Sequence, residues 1–157
     1  MAVKPIPEGY HTLSPSLIVD GAADAIDFYK RAFGATERGT MQGPEGKIAH
    51  AELQLGDSVL MVADPFPMQN TKPPKELGGT PVTIFMYVED VDAVFKQAID
   101  AGASSTMDPD DMFWGDRFAS VDDPFGHSWA LATHIEDLSE EEIRARGEKA
   151  MAAMAQA

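Results

Sequence analysis

The sequence predicts an α+β fold made of two similar βαβββ modules. Two segments share one pattern, LIVDGAADAIDFYKRAFGA at 17–35 and MYVEDVDAVFKQAIDAGA at 86–103. Each contains an extended apolar run, an acidic turn, an amphipathic helix and a Gly-Ala pair. Equivalent residues keep a constant offset, so that Asp24-Ala25-Ile26 matches Asp92-Ala93-Val94. In a chain of 157 residues, a repeat of this length indicates two half-domains that share one fold.

The first module is expected over about residues 12–64. Its extended run at 12–20 predicts a strand, and Pro15, which has no N–H, predicts that this strand lies at a sheet edge or starts irregularly. Residues 22–33 carry apolar side chains at the spacing of one helical face, and Gly34 predicts the end of that helix. Three further strands follow at hairpin-like spacing, at 35–42, 47–55 and 58–64.

The second module is expected over about residues 81–134, after a linker at 65–80 that is rich in Pro and Gly and could form a flap. Its predicted elements follow the same order: a strand at 81–89, a helix at 90–101, and strands at 104–108, 116–122 and 127–134. Two such modules can form a cupped mixed sheet with helices outside, and the concave face would be a pocket.

These modules and their linker predict a single domain over 1–137, followed by a C-terminal helical tail over 138–157. Ser139 and Glu142 have the spacing of a capping box, which predicts the start of a helix. Apolar residues of this tail are candidates for contact with a second chain: Ile143, Met151 and Met154.

Composition and charge exclude several classes of function. The chain has 26 acidic and 12 basic residues, a formal net charge of −14 and no cysteine. Nucleic-acid binding is not expected, because phosphates would be repelled. Disulfides, a thiolate nucleophile and a Cys-based zinc site are excluded. No membrane-spanning run or signal peptide is recognisable, so we expect a cytoplasmic protein without membrane contact. The acidity indicates solubility or, alternatively, preference for a cationic ligand.

Three segments carry a resemblance to a known family: 17–35, HAELQLGDSVLMVAD at 50–64, and WGDRFASVDDPFGHSWAL at 114–131. On these segments the chain resembles the vicinal oxygen chelate superfamily, and within it the PhnB-like proteins. That superfamily includes glyoxalase I, extradiol dioxygenases, fosfomycin-resistance enzymes and bleomycin-resistance proteins. The resemblance covers about residues 10–137 and implies a homodimer whose pockets are bounded by both chains.

The resemblance also identifies four positions that hold a divalent metal ion in metal-dependent members, usually through His and Glu. In this chain they are occupied by Ser14, Met61, Thr83 and Ala130. A hard divalent ion needs several nitrogen or oxygen ligands, which this set does not supply. We therefore expect no metal or other cofactor, and leave open whether the protein is an enzyme.

Candidate ligand-binding residues come mainly from the second module. Large aromatic side chains beside an arginine suggest a ligand wall, although core packing or a dimer contact would explain them too. Phe85 and Tyr87 have the strand phase of Thr83 and are expected to face the cup. The full candidate set is Met61, Phe85, Tyr87, Phe113, Trp114, Arg117, Phe118 and His134. It predicts binding of a small aromatic or cationic organic molecule.

Two other classes of function are considered. His50 and Glu52 are two residues apart on a strand and, with His134, could form a displaced metal site for a lyase, isomerase or dioxygenase. The plainer interpretation is an ordinary His–Glu contact on a polar strand face. A third class is an interaction protein with no small-molecule role, which would be favoured if the cup were filled by the protein's own side chains.

Overall fold

The computed structural model describes residues 3–156 and contains the two predicted modules. The first module comprises β1 (Ser16–Ile18), α1 (Ala22–Phe33), β2 (Thr36–Gln42), β3 (Ile48–Leu55) and β4 (Ser58–Ala63). The second comprises β5 (Thr83–Tyr87), α3 (Val91–Ala101), β6 (Ser104–Asp111), β7 (Asp116–Asp122) and β8 (Ser128–His134). Two further helices are α2 (Pro74–Leu77), between the modules, and α4 (Glu140–Met154), in the tail.

Each module forms a four-stranded mixed sheet, and the two sheets have the same topology. The strand orders are β1-β4-β3-β2 and β5-β8-β7-β6, with the first pair of each parallel and the others antiparallel. This confirms the α+β fold of repeated βαβββ units. Strand β1 is an edge strand, as Pro15 predicted.

Polar side chains hold the start of the module helices in both repeats. The buried carboxylate of Asp64 accepts hydrogen bonds from the backbone N–H groups of Gly21 and Ala22, both at 3.0 Å. In the second module the Asp90 side chain accepts from Ala93 N at 3.0 Å, and Thr133 Oγ1 accepts from Val91 N at 2.8 Å. These bonds satisfy N–H groups that have no partner within the helix.

The modules are joined through helix α1 and an aromatic core. The rings of Tyr29 and Phe33 lie 5.4 and 4.6 Å from that of Trp129, measured between centroids. The Tyr29 hydroxyl donates to Asp123 at 2.7 Å, and the Trp129 indole N–H donates to the same carboxylate oxygen at 3.0 Å. Gln97 of α3 also donates to the Ala32 carbonyl at 3.0 Å. Helices and the β7–β8 turn, rather than strand edges, therefore connect the halves.

The two modules keep separate sheets. No strand ladder joins the two sheets within residues 3–156. Apolar residues on one face of each sheet pack against the helices, including Leu17, Val62 and Leu131. The other face of the second sheet carries exposed side chains, including Phe85 and Tyr87.

The linker is more ordered than expected, and the tail forms the helix that the sequence predicted. The linker contains a turn of 3-10 helix at Pro67–Gln69 as well as α2, and Pro74 is buried, close to Gly126. The predicted capping box of α4 is present, with Ser139 Oγ accepting from Glu142 N at 3.3 Å. Within residues 3–156, no helix has the length and apolar character needed to cross a membrane.

Candidate functional site

A row of aromatic rings lies on the open face of the second sheet. Phe85 on β5 lies between Tyr87, at 5.1 Å, and Phe118 on β7, at 6.0 Å. Trp114, just before β7, continues the row at 6.0 Å from Phe118. Phe85 and Tyr87 are 49% and 63% exposed. We name these four residues the aromatic row; its faces are the kind of surface that stacks on planar or cationic molecules.

The carboxylate of Asp116 connects the two ends of this row, Tyr87 and Trp114. Asp116 is only 3% exposed. Its Oδ2 accepts from the Tyr87 hydroxyl at 2.9 Å and from the Trp114 indole N–H at 3.0 Å. Its Oδ1 lies 2.8 Å from Nδ1 of His134, which is directly opposite on β8. One buried carboxylate thus fixes two members of the row and the neighbouring imidazole.

The pKa values of this group reflect those contacts. Burial alone would raise the pKa of Asp116, but hydrogen bonds from His134, Tyr87 and Trp114 outweigh it and keep the pKa below its usual value. The hydrogen bond to Asp116 and then that to Asp137 raise the pKa of His134. The Nε2 atom of His134 lies 2.9 Å from Oδ1 of Asp137. A carboxylate on each nitrogen favours the charged imidazolium.

A glycine turn positions Trp114 and Asp116. Gly115 has φ +97°, and a Cβ there would collide with the carbonyl oxygen of Glu136. The Gly115 carbonyl accepts hydrogen bonds from Ile135 N and Glu136 N, both at 3.0 Å. The turn therefore connects the start of β7, with Trp114 and Asp116, to the segment that follows β8.

Three of the predicted ligand residues lie elsewhere. Arg117 alternates with Phe118 along β7 and so points to the helix side, where it donates to Asp92 at 2.6 and 2.8 Å and to Asp111 at 2.9 Å. A strand sends successive side chains to opposite faces, so Arg117 does not share the face of Phe118. Met61 lies on β4 of the first sheet, opposite Ser16 and Glu52. Phe113 contacts Trp114 at 5.1 Å but packs under Gly147 of α4.

Within one chain, the structure does not bring together the three residues of the displaced metal site. His50 and Glu52 lie on the first sheet, with His50 Nε2 3.4 Å from Glu52 Oε1, whereas His134 pairs with Asp116 on the second. A hydrogen bond from Tyr10, above all, lowers the pKa of Glu52. Across residues 3–156, no three His, Asp or Glu side chains are arranged to hold a metal ion. The plainer His–Glu contact is what the structure shows.

The four positions that carry metal ligands in metal-dependent relatives are split between the modules. Met61 lies beside Ser16 on the first sheet, and Thr83 and Ala130 lie on the second. Ser14 precedes β1. An apolar alanine, a thioether and two neutral hydroxyls do not form a donor set for a hard divalent ion. The residues present therefore do not fit the metal that the fold suggests.

A cleft of about 690 Å³ opens between the modules along strand β5. Phe85 and Tyr87 belong to its wall, opposite Leu60 of β4, and Phe33 and Trp129 also line it. The aromatic row is thus continuous with the space where the halves meet.

The N-terminal arm contacts the first module. His11 Nε2 lies 2.8 Å from the carbonyl oxygen of Asp57.

Asp116 was missed by the sequence interpretation. It lies two residues before Phe118, so strand alternation places both on one face. That spacing was the available signal. Acidic residues are common in this chain, and nothing in the sequence distinguishes the one that Tyr87 and His134 surround.

The repeated modules and the open face define a protein of the glyoxalase type, and comparison places it in that family. The model of the Glyoxalase/Bleomycin resistance protein/Dioxygenase superfamily matches residues 11–131. The chain belongs to this superfamily.

Relatives and solved structures agree with this assignment. The chain is 46% identical over 136 residues to an uncharacterized protein of Mycobacterium tuberculosis, covering 85% of this chain and 80% of that protein. The crystal structure of TioX from Micromonospora sp. ML1 is similar with a TM-score of 0.64 and 29% identity, covering 80% of this chain and 99% of TioX. A PhnB protein from Bacillus cereus shares the fold at a TM-score of 0.60 and 19% identity, covering 78% and 99% of the two chains.

Proposed function

We propose that this protein binds a small aromatic organic molecule on the aromatic row, without a catalytic metal. The observation that carries the proposal is the exposed, continuous row itself. Tyr87, Phe85, Phe118 and Trp114 follow one another with centroid separations of 5.1 to 6.0 Å. Monomeric proteins rarely expose contiguous apolar surface without a function. The motifs at 17–35 and 114–131 support placing the protein in the PhnB-like subgroup.

The row is preorganised for binding. The Tyr87 hydroxyl and the Trp114 indole are fixed by hydrogen bonds to Asp116 at 2.9 and 3.0 Å. Ala130 and Ala132 lie in the strand between β5 and β7, opposite Phe85 and Phe118. Because these alanine side chains are small, the aromatic rings protrude from the face of the sheet. Rings that are already ordered lose little conformational entropy when a ligand stacks on them.

The absence of a catalytic metal is part of the proposal and is supported by the donor set. Ser14, Met61, Thr83 and Ala130 occupy the positions that would hold the ion. The chemistry best supported is therefore recognition and sequestration, which needs shape and stacking rather than activation of water.

We further propose that the protein is a homodimer in which modules of two copies face each other. Strands β1 and β5 are edge strands, each paired on one side. Phe85 and Tyr87 next to the free edge of β5 are exposed apolar surface that a second copy would enclose. Sedimentation equilibrium should give twice the chain mass of 16.9 kDa. A monomer at micromolar concentration would contradict this part of the proposal.

Binding can be tested with naphthalene-2-carboxamide, a neutral two-ring probe. We expect Phe85→Leu and Phe118→Leu each to weaken calorimetric binding by about two- to tenfold, because stacking on one ring contributes about 0.5–1.5 kcal/mol. Phe66→Leu is the matched control, since this linker residue lies away from the row, with its ring near Lys47 of the first module. Equal affinity in all three variants, or no binding by the wild type, would refute the proposed site.

A further inference from the structure

We propose that His134 is the anchor for an acidic oxygen of the aromatic ligand, a carboxylate or ionised phenol, and that Asp137 is the group this oxygen displaces. The inference rests on the proposed function and names the chemical class that the aromatic row receives. It starts from the contact between His134 Nε2 and Asp137 Oδ1 at 2.9 Å.

The His134 imidazole is oriented through its Nδ1 atom and is accessible at its Nε2 atom. Asp116 is buried and lies 2.8 Å from Nδ1, so the ring is fixed with Nε2 directed away from the sheet. The His134 side chain is 53% exposed. A buried carboxylate on one nitrogen fixes the tautomer and leaves the other nitrogen for an incoming group.

The partner of Nε2 is poorly held. The Asp137 side chain is fully exposed and lies between β8 and α4, outside regular structure. An exposed ion pair of this kind contributes little net stability, because both groups are well solvated when apart. A ligand oxyanion can therefore take the place of the Asp137 carboxylate at small cost.

The anchor lies beside the residues that form the two ends of the aromatic row. Tyr87, Trp114 and His134 all contact the same carboxylate of Asp116. A planar ligand stacked on the row thus has its edge near Nε2. The displaced Asp137 carboxylate stays on the chain but is fully exposed, so water weakens its repulsion of the ligand oxyanion. The net charge of −14 acts mainly at longer range, where salt screens it.

Other cations near the row are held by carboxylates. Arg117 is bound by Asp92 and Asp111 on the helix side of the sheet. Arg146 of α4 donates to both carboxylate oxygens of Glu136, at 2.7 and 2.8 Å. His134 is therefore the cationic group whose partner is most easily exchanged.

The test compares naphthalene-2-carboxylate with naphthalene-2-carboxamide by titration calorimetry at pH 6. In the wild type we expect the carboxylate to bind about three- to tenfold more tightly, because a charge-assisted hydrogen bond is stronger than a neutral one. His134→Gln should reduce this ratio to within about twofold, because the glutamine amide donates only neutral hydrogen bonds to either probe. Asp137→Ala should tighten carboxylate binding by about two- to fivefold by removing the competitor.

Glu141→Ala controls for the loss of one negative charge, since Glu141 is an exposed residue at the start of α4. It should not change the ratio. Equal binding of the two probes, or an unchanged ratio in His134→Gln, would overturn the anchor. Carboxamide binding that still depends on Phe85 and Phe118 would then leave the proposed function intact. If neither probe binds, the proposed function fails together with the anchor.

Discussion

Asp116 is the residue on which the order of the site depends, and Asp116→Ala is the most informative stability test. The substitution removes the acceptor for Tyr87, Trp114 and His134. Tyr87 and His134 are largely exposed, so water replaces their lost partner. The indole N–H of Trp114 is half-buried and loses a hydrogen bond to a charged group, so we expect a loss of about 2 kcal/mol in the free energy of unfolding.

For a chain of this size, a loss of about 2 kcal/mol lowers Tm by roughly 4–8 °C. Thermal unfolding followed by circular dichroism would measure it. Asp122→Ala is the matched control, because it removes one acceptor from the same strand, a bond from Ser128 Oγ at 2.7 Å. Its cost should stay below about 1 kcal/mol. A Tm for Asp116→Ala that matches the control would refute the view that this carboxylate organises the site.

Three further predictions concern the turn, the imidazole and the metal. Gly115→Ala should lower stability by about 2–4 kcal/mol in urea unfolding, because its Cβ meets backbone. Gly46→Ala, at φ +74° with open space, should cost only about 1 kcal/mol; equal costs would contradict this. The NMR pKa of His134 should lie above 6.5 and fall in Asp116→Ala; an unchanged value would count against their contact. Protein purified without chelator should carry less than about 0.1 transition metal per chain by mass spectrometry; one per chain would exclude the metal-free proposal.

The two carboxylate–imidazole pKa shifts also give stability a defined pH dependence. Because the pKa of His134 is raised by folding, its contribution is complete below the pKa of the unfolded chain and is lost as pH rises through the folded value. Folding lowers the pKa of Asp116, so the contribution of Asp116 to stability is lost as pH falls through the pKa of this carboxyl in the folded state. Both contributions are therefore present together in mildly acidic solution.

The repeat and its elements could be predicted because local patterns determine them. Apolar spacing and Gly34 gave helix α1 at its observed bounds, Ala22–Phe33. Strand β6 runs to Asp111, three residues further than expected; its Pro109 is tolerated because β6 is an edge strand. Helix α2 was not predicted, because a single turn lacks a periodic signal.

The site was predictable only in part. Strand phase placed Phe85 and Tyr87 on one face, and their rings lie 5.1 Å apart, whereas Phe118 was included through the sequence cluster of aromatic residues. The same rule would have excluded Arg117, which clustering in sequence had included. The placement of His134 with Asp116 depends on strand register, and the joining of modules through α1 depends on tertiary packing of Trp129. Neither is encoded in a local pattern.

The central claim, that the aromatic row receives an aromatic ligand, is tested most directly by the indole N–H signals in a proton–nitrogen NMR spectrum. The chain has two tryptophans, Trp114 in the row and Trp129 in the core at 1% exposure. On saturation with naphthalene-2-carboxamide, the Trp114 signal should shift while that of Trp129 stays in place. Movement of Trp129 alone, or of neither signal at saturation, would contradict the claim.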